Sequence, residues 1–222
     1  MANANQKAWE RGNRDLDRHG PSRERRRVLI LCEDEKSSRL YLKAFPYDPR
    51  RVEVRTEGTG HNTDSLVELA MRLKRDADRA GRPYNHVYCV FDRDSFPAQN
   101  FNRAFQLARN NAIYPIWVNE AFELWYLLHF DYINTGIGRA QYKGMLDQPN
   151  RLNGSYQKND DTIYARLKEH QPKAFKFARK LAKHWIDQGG CNPEVCNPST
   201  NVDDLVAFLN QLAELGVTDD PA

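Results

Sequence analysis

Four short strand-like segments, at 28–32, 52–56, 87–91 and 113–118, alternate in the first half of the chain with stretches of helical period. The first is a continuous apolar run, the pattern of a strand buried on both faces of a parallel sheet. Ser37 and Ser38 are placed to cap a following helix that carries Leu40, Tyr41 and Ala44 on one side, and Pro46 and Pro49 end it. Thr63 or Asp64 caps a longer helix with Leu66, Leu69, Ala70, Leu73 and Ala77 on one stripe, closed by Gly81 and Pro83. A third helix carries Phe101, Phe105 and Ala108, and Pro115 marks the fourth strand as an edge. From Glu120 onward only helical patterns recur, at 122–130, 139–146, 162–167, 174–186 and 202–215, with Thr200 and Asp203 resembling a capping box for the last.

Strands separated by helices of this length predict right-handed crossovers. The expected fold class is therefore α/β, a Rossmann-like parallel sheet flanked by helices, with a helical C-terminal half. The organisation read from the pattern is a basic flexible arm at 1–27, an α/β domain at 28–119 and a helical region at 120–222.

Composition narrows this picture. The chain has 222 residues, 40% hydrophobic and 28% charged, enough for a sizeable core. Apolar runs fall well short of the roughly 20 residues a bilayer crossing needs, so no membrane span is expected. Four cysteines in a chain of this length do not suggest a disulfide framework, which points to a reducing cytoplasm. Of 33 Lys and Arg against 30 Asp and Glu, eight and four lie in the arm, leaving 25 against 26 elsewhere. The excess positive charge is confined to the arm, where Arg25, Arg26 and Arg27 read either as a solvated tail or as a grip on nucleic-acid phosphates.

Open parallel sheets place working residues beyond the carboxyl ends of their strands, where loops and helix N-termini converge. The first strand runs into Glu33-Asp34-Glu35-Lys36 and the third into Asp92-Arg93-Asp94. If extended backbone continues, the Asp-x-Asp spacing points both carboxylates to one side. Like charges so placed demand a cation, and oxygen ligands suit Mg²⁺, with Mn²⁺ as the alternative. The competing reading is an ordinary polar turn neutralised by Arg93. Glu123 is a fourth acid, in an apolar stretch where a buried carboxylate is costly without a partner or a metal. Lys36 either balances the acids or contacts a phosphate, and Tyr156 and Lys158 lie in a polar stretch suited to a base and a backbone. His129 reads as a core histidine, Cys32 and Cys89 as inert core thiols. The absence of a Gly-x4-Gly-Lys-Ser/Thr loop means that any ATP hydrolysis comes from a partner.

The segments 28–36, 90–94, 122–130 and 197–202 together resemble the successive motifs of RloB-like proteins, a family of the Toprim superfamily often encoded beside an ATPase in loci linked to phage defence. The resemblance implies a Toprim-type domain at 28–119, with Glu33, Asp92 and Asp94 holding Mg²⁺ and Glu33 acting as ligand or general acid/base. It departs at Asp34, where the family usually has glycine. The expected function is an Mg-dependent nuclease cleaving nucleic-acid phosphodiesters in anti-phage defence together with an ATPase, with Glu33, Asp92, Asp94 and Glu123 catalytic and Lys36, Lys158 and Arg25–Arg27 on the nucleic acid. The alternative is a non-catalytic binding or regulatory subunit, which Asp34 favours.

Overall fold

The computed structural model describes residues 25–60, 63–93, 98–190, 192–193 and 195–214. Its centre is a four-stranded sheet of β1 (Arg26–Cys32), β2 (Val52–Gly58), β3 (His86–Arg93) and β4 (Tyr114–Asn119). The order is β2-β1-β3-β4 and every pairing is parallel. Helices α1 (Ser37–Lys43), α2 (Thr63–Arg79) and α3 (Ala98–Asn110) make the crossovers. The sheet is thus the expected α/β, Rossmann-like one, and the strand order reverses between β1 and β3, the switch point where such sheets open a crevice.

Alternation along the strands divides the interior into two layers. Leu29, Leu31, Val87, Cys89 and Phe91 face α2 and α3, meeting Leu66, Ala70, Phe101 and Phe105. Val28, Ile30, Cys32, Tyr88 and Val90 face the other way, against Tyr41 and Leu42 of α1 and the C-terminal half. That half comprises α4 (Glu123–Leu128), α5 (Gln141–Leu146), α6 (Ile163–Leu167), a 3₁₀ turn at Lys168–His170, α7 (Gln171–Asp187) and α8 (Val202–Glu214). Pro172 sits in the first turn of α7, where its missing N–H costs no hydrogen bond. The helical half is therefore the second wall of one core, sharing it with the sheet.

β4 is an edge strand, as Pro115 requires, and the segment 199–201 covers it. Asn201 imitates a strand residue with its side chain: Oδ1 accepts from Trp117 N at 2.8 Å and Nδ2 donates to Pro115 O at 3.2 Å. Thr200 Oγ1 donates to Trp117 O at 2.8 Å, and Asn119 N donates to Ser199 O at 3.0 Å. These bonds satisfy backbone groups that an open edge would leave available to another chain. Thr200 Oγ1 also accepts from Val202 N at 3.1 Å, so it serves the start of α8 as well as the strand.

His129 is fully buried, its Nδ1 2.8 Å from Trp125 O, which assigns the proton to Nδ1. Burial pushes its imidazole down to about 4, so it is neutral at pH 7 and belongs to the core as expected. Cys32 and Cys89 are buried thiols, the first pushed up to about 12 by burial.

Two outcomes test this packing. A Cβ on Gly58 would lie 2.4 Å from Glu35 Cα and 2.8 Å from Asp34 O, so Gly58→Ala is expected to force the loop after β1 off the end of β2 and cost about 1–3 kcal/mol in a urea titration. For His129 the folded pKa lies below the unfolded one, so the unfolded chain binds the proton first and stability is lost as pH falls from about 6.5 towards 4. Asp203, pushed up to about 6 by burial, contributes a slope of the opposite sign, which subtraction removes. Between pH 7 and 4.5, His129→Leu should gain about 2–3 kcal/mol relative to wild type, whereas an unchanged difference would place the imidazole in contact with water.

Candidate active site

The carboxyl ends of β1 and β3 bring Glu33 and Asp92 into one neighbourhood at the switch-point crevice, with Asp34 and Glu123 close enough to act on Asp92. Glu33 follows β1 directly; its N–H donates to Val90 O at 3.0 Å and its carbonyl accepts from Gly60 N at 3.1 Å. It is held between the ends of β2 and β3. Asp34 Oδ2 accepts from Ser38 N at 2.9 Å, so Asp34, rather than Ser37 or Ser38, satisfies a first-turn donor of α1. The two serines lie inside the helix and are buried. Asp34 is not among the residues with positive φ, so its side chain puts no left-handed strain on the backbone. Its Oδ1 lies 3.6 Å from Lys158 Nζ. Lys36 is exposed on the same loop.

Asp92 continues the face of Tyr88 and Val90, and so points towards the helical half. It is 7% exposed and forms an ion pair at 2.7 Å with Arg139 Nη2. Burial holds its carboxyl well above the usual carboxylate range; Arg139 opposes the shift, and the charges of Asp34, Glu123 and Glu33 add to it. Four carboxylates thus share one electrostatic neighbourhood. Asp94 lies outside the described residues.

Glu123 opens α4 and is 5% exposed. Its Oε1 accepts from Ser37 Oγ at 2.9 Å and from the Tyr156 hydroxyl, while its Oε2 is buried with no hydrogen-bond partner among the described residues. Tyr126 OH donates to Ser37 O at 2.8 Å and ties the same network to the backbone of α1. Burial and the adjacent Glu123 charge both push the Tyr156 phenol up, so it remains a donor. Buried among these groups, Tyr156 has no face to offer a base, which corrects that expectation.

Arg25, Arg26 and Arg27 are not brought to the acids. β1 begins at Arg26, earlier than the expected boundary of the arm, and the strand's length puts about 20 Å between Arg27 and the crevice. Arg27 instead pairs with Glu53 at 3.1 Å and lies over the Tyr84 ring at 4.5 Å; Arg25 pairs with Glu53 at 3.6 Å. These are contacts at the sheet's amino end. Lys158, by contrast, reaches Asp34, so the polar stretch that carries it belongs to the crevice.

Sequence reasoning missed Arg139 and Ser37 as site residues. Arg139 has no local signature, because it sits in a loop and acts 47 residues away from Asp92. The chain makes it reach: Glu120 adopts φ +61°, and its carbonyl accepts from Arg139 Nε at 2.9 Å while Nη2 contacts Asp92.

The donor set fits a hard divalent cation in chemistry, all oxygen, with the orphaned Glu123 Oε2 as an additional buried acceptor. Among the described residues no three His, Cys, Asp or Glu side chains already form a cage. Asp92 and Asp34 are each engaged in an ion pair, so a cation there would have to compete with Arg139 and Lys158.

No curated protein and no solved structure compared with the chain matches it. Residues 28–209, most of the chain, match the family described as RloB-like protein. That span includes both acidic strand ends, the helix bearing Glu123 and the segment that covers β4, and the chain belongs to the RloB-like protein family.

Proposed function

We propose that the chain is a Toprim-type, Mg²⁺-dependent nuclease that cleaves nucleic-acid phosphodiesters, acting in the cytoplasm in anti-phage defence with an ATPase partner. The observation that supports it is the gathering of Asp92, Glu33, Asp34 and Glu123, distant along the chain, around one crevice at the switch point of the sheet. Like charge gathered in one place raises the free energy of the ionised carboxyls and so favours a cation among them.

Glu33, Asp92 and Asp94 are the residues that would hold Mg²⁺ or Mn²⁺, which when bound supplies a Lewis acid for the phosphoryl oxygen. The chain's own residues carry the rest. Ser37 and Tyr156 fix Glu123 by one oxygen and so orient the other. Glu33, anchored by its backbone to β3, would serve as a metal ligand or as the general acid/base for the attacking water. Arg139, Lys158 and Lys36 supply positive charge at the rim of the crevice for the nucleic-acid backbone.

A second reading follows from the same ion pairs. With Arg139 on Asp92 and Lys158 on Asp34, the crevice is already partly neutralised, as a binding or regulatory subunit without catalysis would leave it.

Calorimetric titration with Mg²⁺ and Mn²⁺ separates the two readings, since only the nuclease takes up metal. Cleavage of plasmid, single-stranded DNA and total RNA, with and without the ATPase encoded alongside, measures the activity. Asp92→Asn and Glu33→Gln are each expected to lower it by about a hundredfold or more with an unchanged circular dichroism spectrum. Cleavage that persists in both variants rules out this site.

A further inference from the structure

We infer that Arg139 is the exchangeable counter-ion of the crevice: it neutralises Asp92 before a divalent cation arrives, and binds a phosphodiester of the nucleic acid once the cation has displaced it. This inference rests on the reading that the crevice takes up metal, and it adds the residue through which metal loading and substrate binding are coupled.

The geometry favours exchange over a fixed structural pair. The Asp92 side chain is 8% exposed, whereas that of Arg139 is 46% exposed. One edge of the guanidinium faces a buried carboxylate at 2.7 Å, and the side chain as a whole reaches the solvent-accessible surface. Its Nε is held by the Glu120 carbonyl at 2.9 Å, a contact to backbone that loss of Asp92 leaves intact. Released from Asp92, the planar fork stays at the mouth of the crevice, and its donors match phosphate oxygens in pairs.

The charges dictate the direction of coupling. A divalent ion on Asp92 cannot share the carboxylate with a guanidinium at hydrogen-bond distance without strong repulsion. Arg139 and the metal therefore compete, and by linkage each weakens the other's hold on Asp92 by the same factor. Lys158 on Asp34 repeats the arrangement at a longer distance, 3.6 Å, with a flexible stem and no second polar contact among the described residues, so it is the weaker member. A residue serving only to hold the helical half against the sheet needs no such exposure.

The test uses the full chain, with Mn²⁺ titrated calorimetrically into wild type and Arg139→Gln, and with affinity for a labelled single-stranded DNA and its RNA counterpart measured in Ca²⁺ to suppress cleavage. Arg139→Gln is expected to bind Mn²⁺ about tenfold more tightly and the metal-dependent nucleic acid at least about threefold more weakly. If wild type binds Mn²⁺ and the variant binds it equally well or less well, the exchange is overturned while the metal reading stands. If neither takes up Mn²⁺, the nuclease reading falls and the exchange falls with it. Should Arg139→Gln not fold, Arg139→Lys replaces it. Its ammonium cannot span Asp92 and the Glu120 carbonyl as a rigid fork does, so Mn²⁺ affinity should still rise, by about threefold, and an unchanged value overturns the exchange equally.

Discussion

The architecture turns on the cost of bringing carboxylates together where water is scarce. Asp92 lies almost wholly inside the molecule, with the charges of Asp34, Glu123 and Glu33 around it, and every one of these raises the free energy of its ionised form. Such a cluster is tolerable only if the protein supplies counter-charge and hydrogen bonds at the same place. Arg139 and Lys158 supply the charge, Ser37 and Tyr156 the hydrogen bonds. Neither set comes from the strands that carry Asp92 and Glu33.

The helical half is therefore part of the site as well as of the core. Tyr156, Lys158 and Arg139 all belong to it, and each reaches a residue at the carboxyl end of the sheet or at the start of α1 or α4. Its attachment to the sheet is correspondingly firm: Trp125, Tyr126 and Leu128 share one buried core with Val28, Ile30 and Val90, while 199–201 closes the edge of β4. Loosening that attachment would withdraw the counter-charges and leave the acids to repel one another. The segment 197–202, one of the motifs carrying the family resemblance, has its structural use here, as the cover of an edge strand adjacent to Asp92. Charge and packing thus hold the two halves together in one unit.

Among the described residues no helix is long and apolar enough to cross a membrane, in line with the short apolar runs of the sequence. The strands and most helices were legible because their signals are local. A buried parallel strand is an apolar run, an amphipathic helix repeats every 3.6 residues, and Pro115 cannot sit in a paired central strand. Glu33 and Asp92 were legible for a related reason, since a strand end followed by acid is a local pattern with a known place in an open sheet. The cap of α1 was misread: Ser37 and Ser38 have the right chemistry, but Asp34 is the side chain whose oxygen meets the first-turn donor, freeing Ser37 to turn towards Glu123.

The linear order of residues by itself determined the strands of the sheet, its crossovers, the edge position of β4 and the acids at its carboxyl ends, because each depends on neighbours within a few positions. Only the tertiary structure decided what those acids face. That Arg139 is a guanidinium beside Asp92 depends on how a distant loop is folded back on Glu120 to deliver it. Charge acts through space over a few ångströms and pays no heed to separation along the chain, so the partner of a buried carboxylate becomes readable only once the chain has folded around it.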